Sequence, residues 1–188
     1  MQTRRLPRRR IRRILDLLAY EVIRIVKEWL PVAVADGSNK EARENLSLPA
    51  IWQESRSMSR GVHIGHACAH ALGHLHHIPH GVCCAILTPA VIRLQALYYP
   101  EKMKQLGNLM GAEIVSDDPE EIGRKAAEAV RNFVKEVGIP SLKEQGFTKE
   151  QIMEALPVVE HDPLAYAFDG QVTEDVIKNL LEYAYNEE

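Results

Sequence analysis

The sequence predicts an all-α fold, an array of seven to nine helices, and three observations point there. Apolar residues recur at intervals of three and four through almost every segment, the period of a helix packed along one side. No run keeps up the two-residue alternation of a half-buried strand. The Gly, Pro, Asp and Ser clusters between segments are short, which favours antiparallel neighbours. At 188 residues the chain can bury an ordinary core within one domain.

Each element has its own signal. Leu15, Leu18, Val22, Ile25, Val26 and Trp29 fall on one face of a helix from Leu15 to Leu30, closed by the turn Ala35-Asp36-Gly37-Ser38. Asn39 to Leu46 is polar and helix-prone, and a further helix runs from about Pro49 to Met58. A histidine-rich helix follows and is expected to stop at Pro79. Val82 to Tyr98 is an apolar helix with Pro89 inside it, which should kink or divide it. Asp118-Pro119-Glu120-Glu121 is a capping box with proline at the first helical position, opening a helix to Val137 before Gly138-Ile139-Pro140 breaks it. Thr148 with Gln151 repeats the box ahead of Ile152 to Val159, and Thr173 with Glu174 and Asp175 opens a last helix to about Tyr185.

Seven of the eight histidines lie between His63 and His80. On a helix, His63, His66, His70, His74 and His77 project within roughly 80° of one another and form a stripe. Neutral imidazole is a ligand for Zn, Fe, Ni and Cu, and histidines four apart on one face can share an ion. His80, beyond Pro79, is placed to swing back toward the stripe from a loop. A divalent-metal site is the first expectation. The run is interior and broken by apolar residues at helical spacing, unlike a purification tag.

The charge of −3 is unevenly spread. Met1 to Arg13 carries seven arginines and no acid, leaving −10 on the other 175 residues. The basic charge has no aromatic interleaving and an acidic body behind it, so nucleic acid is not an expected partner. Residues 1–13 read as an arginine-rich tail, and 14–188 as the helical domain. Cys68, Cys83 and Cys84 are odd in number and two are adjacent; with no secretory signal peptide recognised, they suggest a reduced, cytoplasmic protein. Cys83 and Cys84 lack the spacing of a zinc knuckle and read as small buried residues. No stretch has the 18 or more apolar residues of a membrane span, so no membrane partner is expected.

His66-Ala-Cys-Ala-His70-Ala-Leu-Gly73, continuing through Ile78-Pro79-His80-Gly81 to Ala85-Ile-Leu-Thr-Pro89, closely resembles the signature of the iron-containing (group III) alcohol dehydrogenases. Asp16 to Ile23, Ala42-Arg43, Gly138 to Leu142, Gly146-Phe-Thr and Thr173 to Tyr185 look like further landmarks of that family, so the resemblance covers roughly residues 14 to 186. It implies the family's all-helical C-terminal domain, with His66 and His80 as metal ligands and His70 beside nicotinamide and substrate, implicated in proton transfer. It also implies Fe²⁺ or Zn²⁺ as Lewis acid, NAD(P) as hydride acceptor, and a small alcohol or aldehyde as substrate. His74, His76 and His77 are then solvated, on the rim or near the substrate mouth.

The chain also departs from the pattern. It has no glycine-rich strand-loop-helix for a dinucleotide, and no upstream D-x-x-x-H to supply an Asp and a His to the metal. Two imidazoles fall short of the three or more protein ligands of a catalytic metal. Ser57, Met58, Ser59 and His63 stand where the family prefers an aromatic, small residues and glycine. The expectation is the helical half of a dehydrogenase whose upstream half was lost or shifted out of frame, with little or no turnover by itself. The alternative is a non-catalytic helical remnant that acts as an oligomeric scaffold or weak divalent-metal binder. Apolar surface left bare would favour a homo-oligomer. A histidine-rich metal-storage protein, resting on His74, His76 and His77, ranks third.

Overall fold

The computed structural model describes the backbone of residues 8–60, 63–168 and 170–186, with side chains for 15–50, 63–168 and 170–186. Nine α-helices and one 3-10 turn, with no strand, make up the regular structure of the described residues. The chain divides into two compact units, up to Arg60 and from Gly61 onward.

The first unit is a helical pair. α1 (Arg8–Ala35) and α2 (Lys40–Arg60) pack together across a tight turn. Asp36 closes α1 by accepting from the Ser38 amide at 2.9 Å and its hydroxyl at 2.6 Å, and Asn39 caps α2 by accepting from the Ala42 amide at 3.0 Å. Ile25 and Ala42 are buried while Leu17, off the expected apolar face, is exposed. Residues 8–13 of the expected arginine tail are helical and belong to α1; residues 1–7 and the side chains of Ser57, Met58 and Ser59 lie outside the described residues. The two segments expected on either side of Pro49 are one helix, with Pro49 buried within it.

The second unit is built around α4 (His80–Ala96), which buries Cys83, Ile86, Leu87, Pro89, Ala90, Ile92 and Ala96 and leaves His80, Thr88 and Arg93 exposed. α3 (Ile64–His76), α7 (Lys149–Met153), α8 (Leu156–Glu160), the 3-10 turn Pro163–Ala167 and α9 (Glu174–Asn186) share one core with Cys83, Ile86, Leu87 and Ala90 of α4. α5 (Pro100–Leu109) and α6 (Pro119–Glu136) share a second core with Ile92 and Ala96 further along α4. Tyr183 of α9 packs against both cores, its ring centroid 4.5 Å from the guanidinium carbon of Arg93 and 5.0 Å from that of Arg131.

The caps expected at α6 and α7 are present. Asp118 accepts from the Glu121 amide at 3.1 Å, and Thr148 and Gln151 form a reciprocal box at 3.3 and 2.9 Å. After α6 the amides of Gly138 and Ile139 donate back to Lys135 and Val134, with Gly138 at φ +81° supplying the left-handed residue this closure needs. The segment Ile152 to Val159, expected as one helix, is two, because Pro157 has no amide to continue the first and suits the start of the second. Pro89 does not divide α4. α5 was not among the expected helices, although Pro100 and Glu101 stand at its start as they should.

Gly107 of α5 is required by packing. A Cβ on Gly107 would lie 2.9 Å from the Cβ and 3.0 Å from the Cα of Ala126, atoms of α6 that cannot turn away. Gly107→Ala is expected to destabilise by about 1–2 kcal/mol despite its better helix propensity, lowering Tm by roughly 2–8 °C. An unchanged melting curve would show that α5 and α6 do not approach this closely.

Candidate metal centre

The centre is assembled where α3 and α4 meet, both in the second unit. His66 and His70 are one turn apart on α3, so their rings project from the same face. His80 is the first residue of α4, after the sharp reversal at His77-Ile78-Pro79. His80 therefore approaches from a helix start, where a loop was expected. The three rings converge, with centroids 6.2 Å apart for His66 and His70, 5.5 Å for His66 and His80, and 5.2 Å for His70 and His80.

The rest of the histidine crowd separates from them. Only His66, His70 and His74 of the five-residue stripe lie in α3; His63 precedes it and His77 ends it at φ +55°, a left-handed conformation. The His76 ring lies against Phe147, and its Nε2–H donates to the Gln151 carbonyl at 2.8 Å. His76 thus ties α3 to α7 and is not simply solvated, whereas His74 and His77 are exposed. His161 lies apart, its Nδ1–H donating to the Pro157 carbonyl at 2.7 Å.

Two more residues stand at the centre: Asp162, which the sequence does not single out, and Cys84, which is half-buried beside His80 and not a buried core residue as expected. Asp162 Oδ2 lies 3.4 Å from His70 Nδ1, a contact in which the ring N–H donates to the carboxylate. Asp162 is itself fixed by capping the 3-10 turn, accepting from the Leu164 amide at 2.9 Å. Cys84, one turn after His80 on α4, places Sγ 3.5 Å from His80 Nε2. One donor atom each from His66, His80 and Cys84 fall within 4.8 Å of one another. Cys83, by contrast, is buried, with Sγ 3.7 Å from the Ile78 carbonyl.

Burial pushes the thiols of Cys68 and Cys83 up to about 12 and about 11, leaving both protonated, and raises that of Cys84 as well. His66 is held below the ordinary 6.5 by burial, then by His80, His70 and His63, whose charges would oppose its own. The unfolded chain takes up this proton near 6.5 while the folded chain resists it, so the associated stability is present above 6.5 and lost as pH falls below it. Chelator-treated protein is expected to melt lower at about pH 5 than at about pH 7.5, with His66→Asn narrowing the difference. An equal difference in the variant would assign the pH dependence to other groups.

Comparison with known proteins agrees with this architecture. The family model for the C-terminal part of the Fe-containing alcohol dehydrogenase family matches residues 9–185. A 1,3-propanediol dehydrogenase of Klebsiella pneumoniae is 35% identical over 127 residues, 68% of this chain and 33% of the relative. A lactaldehyde reductase of Escherichia coli K12 is 34% identical over 138 residues, 73% of this chain and 36% of the relative. The solved alcohol dehydrogenase of Oenococcus oeni superposes with a TM-score of 0.81 at 26% identity, over 90% of this chain and 45% of that one. The chain thus spans between a third and a half of the length of each of these relatives.

Proposed function

This chain belongs to the Fe-containing alcohol dehydrogenase family, matching its C-terminal part, and from that premise we propose that it is the metal-holding helical half of an NAD(P)-linked oxidoreductase. Its substrate is a small alcohol, converted to an aldehyde or ketone by hydride transfer, or the reverse. The observation that carries this reading is the approach of His66, His70 and His80 to within 6.2 Å of one another, ring to ring, from two helices.

In this proposal His66 and His80 hold Fe²⁺ or Zn²⁺ through neutral ring nitrogens; the lowered proton affinity of His66 favours that form. When bound, the ion acts as a Lewis acid toward the substrate oxygen. His70 faces nicotinamide and substrate, and its Nδ1–H is oriented by Asp162, which leaves Nε2 as the proton acceptor. Residues 14–188 constitute the functional domain. No helix among the described residues is long and apolar enough to cross a membrane, and a cytoplasmic location is proposed. Leu17, Val32, Val34 and Leu48 are exposed on the first unit and support a homo-oligomer.

The second reading is a non-catalytic scaffold or weak metal binder, supported by the exposed Leu17, Val32, Val34 and Leu48 of the first unit. Elemental analysis of protein purified without a tag, with NADH and NADPH titrations, separates the two. Bound iron or zinc together with cofactor binding supports the oxidoreductase reading, with turnover by this chain near background. Absence of both metal and cofactor binding would leave the scaffold.

A further inference from the structure

We infer that Cys84 is a third metal ligand, so that His66, His80 and Cys84 together hold one divalent ion and favour Zn²⁺ over Fe²⁺. The inference rests on the reading of the two histidines as ligands and adds to it a donor that neither the periodicity nor the family signature supplied.

The geometry comes from α4 itself. His80 and Cys84 are four residues apart at its start, so their side chains lie on one face, and Sγ stands 3.5 Å from His80 Nε2. Zinc bonds of ~2.0–2.1 Å to nitrogen and ~2.3 Å to sulfur, at a tetrahedral angle, place N and S about 3.6 Å apart. That matches the separation observed. The donor atoms of His66, His80 and Cys84 lie within 4.8 Å of one another, so a small adjustment of His66 gathers all three around one ion. The adjacent cysteine cannot substitute, because Cys83 is buried toward the Ile78 carbonyl.

Three protein ligands with the fourth position open is the arrangement of catalytic zinc, and a soft thiolate selects Zn²⁺ over Fe²⁺, which is also lower in the order of intrinsic affinity. On binding, Sγ forms a bond to the ion and its proton leaves to solvent; no oxidation state changes. His70 is close to the group, its ring 5.2 Å from that of His80, yet outside it, and stays available to a ligand in the open position.

The test uses the full chain, stripped of metal and loaded with Co²⁺, which takes the tetrahedral geometry of Zn²⁺ and reports sulfur ligation by a near-ultraviolet charge-transfer band. Expected is one Co²⁺ per chain with that band, its loss in Cys84→Ser and Cys84→Ala, and its retention in Cys83→Ser. Zn²⁺ affinity should fall by at least ~10-fold in Cys84→Ser, and equimolar Fe²⁺ should fail to displace Zn²⁺. A second readout needs no variant: bound Zn²⁺ should protect Cys84 of the wild-type chain from alkylation. Co²⁺ binding without the band and without protection of Cys84 overturns the thiolate ligand while the histidine site stands. Displacement of Zn²⁺ by Fe²⁺ overturns the preference, and failure of the wild-type chain to bind any of these ions overturns both this inference and the reading beneath it.

Discussion

Replacing His80 by alanine is expected to lower the affinity of the centre for its divalent ion by roughly 100- to 1,000-fold. Complete protein sites bind Zn²⁺ with about 10–16 kcal/mol spread over four ligands, or about 2.5–4 kcal/mol each, and every ~1.4 kcal/mol is tenfold. His80 is exposed and its ring contacts are with His66 and His70, so its removal should leave the helices standing. Calorimetric Zn²⁺ titration of wild type and His80→Ala, with circular dichroism to establish that both are folded, measures the effect. A variant that binds within about threefold of wild type would remove His80 from the ligand set.

The second large effect lies in the core that supports the centre. Leu72 is fully buried, two residues after His70 on α3, and packs in the cluster shared by α3, α4, α8 and α9. Leu72→Ala removes the apolar burial and leaves a cavity that neighbours on several helices cannot collapse together to fill. The expected loss is about 3–4 kcal/mol, with Tm lower by roughly 6–16 °C, a large part of the 5–15 kcal/mol total stability usual for a domain. Leu72→Met, which keeps the volume, should cost less than about 1.5 kcal/mol. Equal melting curves for alanine and leucine would place this side chain outside the packed core.

The two experiments separate metal affinity from fold stability. His80→Ala should weaken the first and spare the second. Leu72→Ala should lower the second and affect the first only by loosening the helix that carries His66 and His70.

Most helices were legible because their signals are local. Thr148 with Gln151 and Asp118 with Glu121 cap their helices as expected, since a cap is made by residues three apart. Proline was harder to read. Pro49 and Pro89 sit inside continuous helices whose packing outweighs the lost hydrogen bond, while Pro157 separates two short ones. α5 was not among the expected helices, and Gly107 within it lets Ala126 of α6 approach closely.

The candidate site divides along the same line. Helical spacing alone gives a stripe of five histidines, and only the resemblance to the family signature narrows it to His66 and His70 and adds His80. Nothing in the order of residues puts Asp162 beside His70 across 92 positions, and the four-residue step from His80 to Cys84 counts only because α4 begins at His80. The sequence by itself determined the all-α class, the caps and the crowding of histidines around one helix, because periodicity and capping act within one or two helical turns. Only the tertiary structure decided which groups stand beside those histidines, because that depends on how α3, α4 and the segment around Asp162 pack, and packing is set by the shape of the whole core.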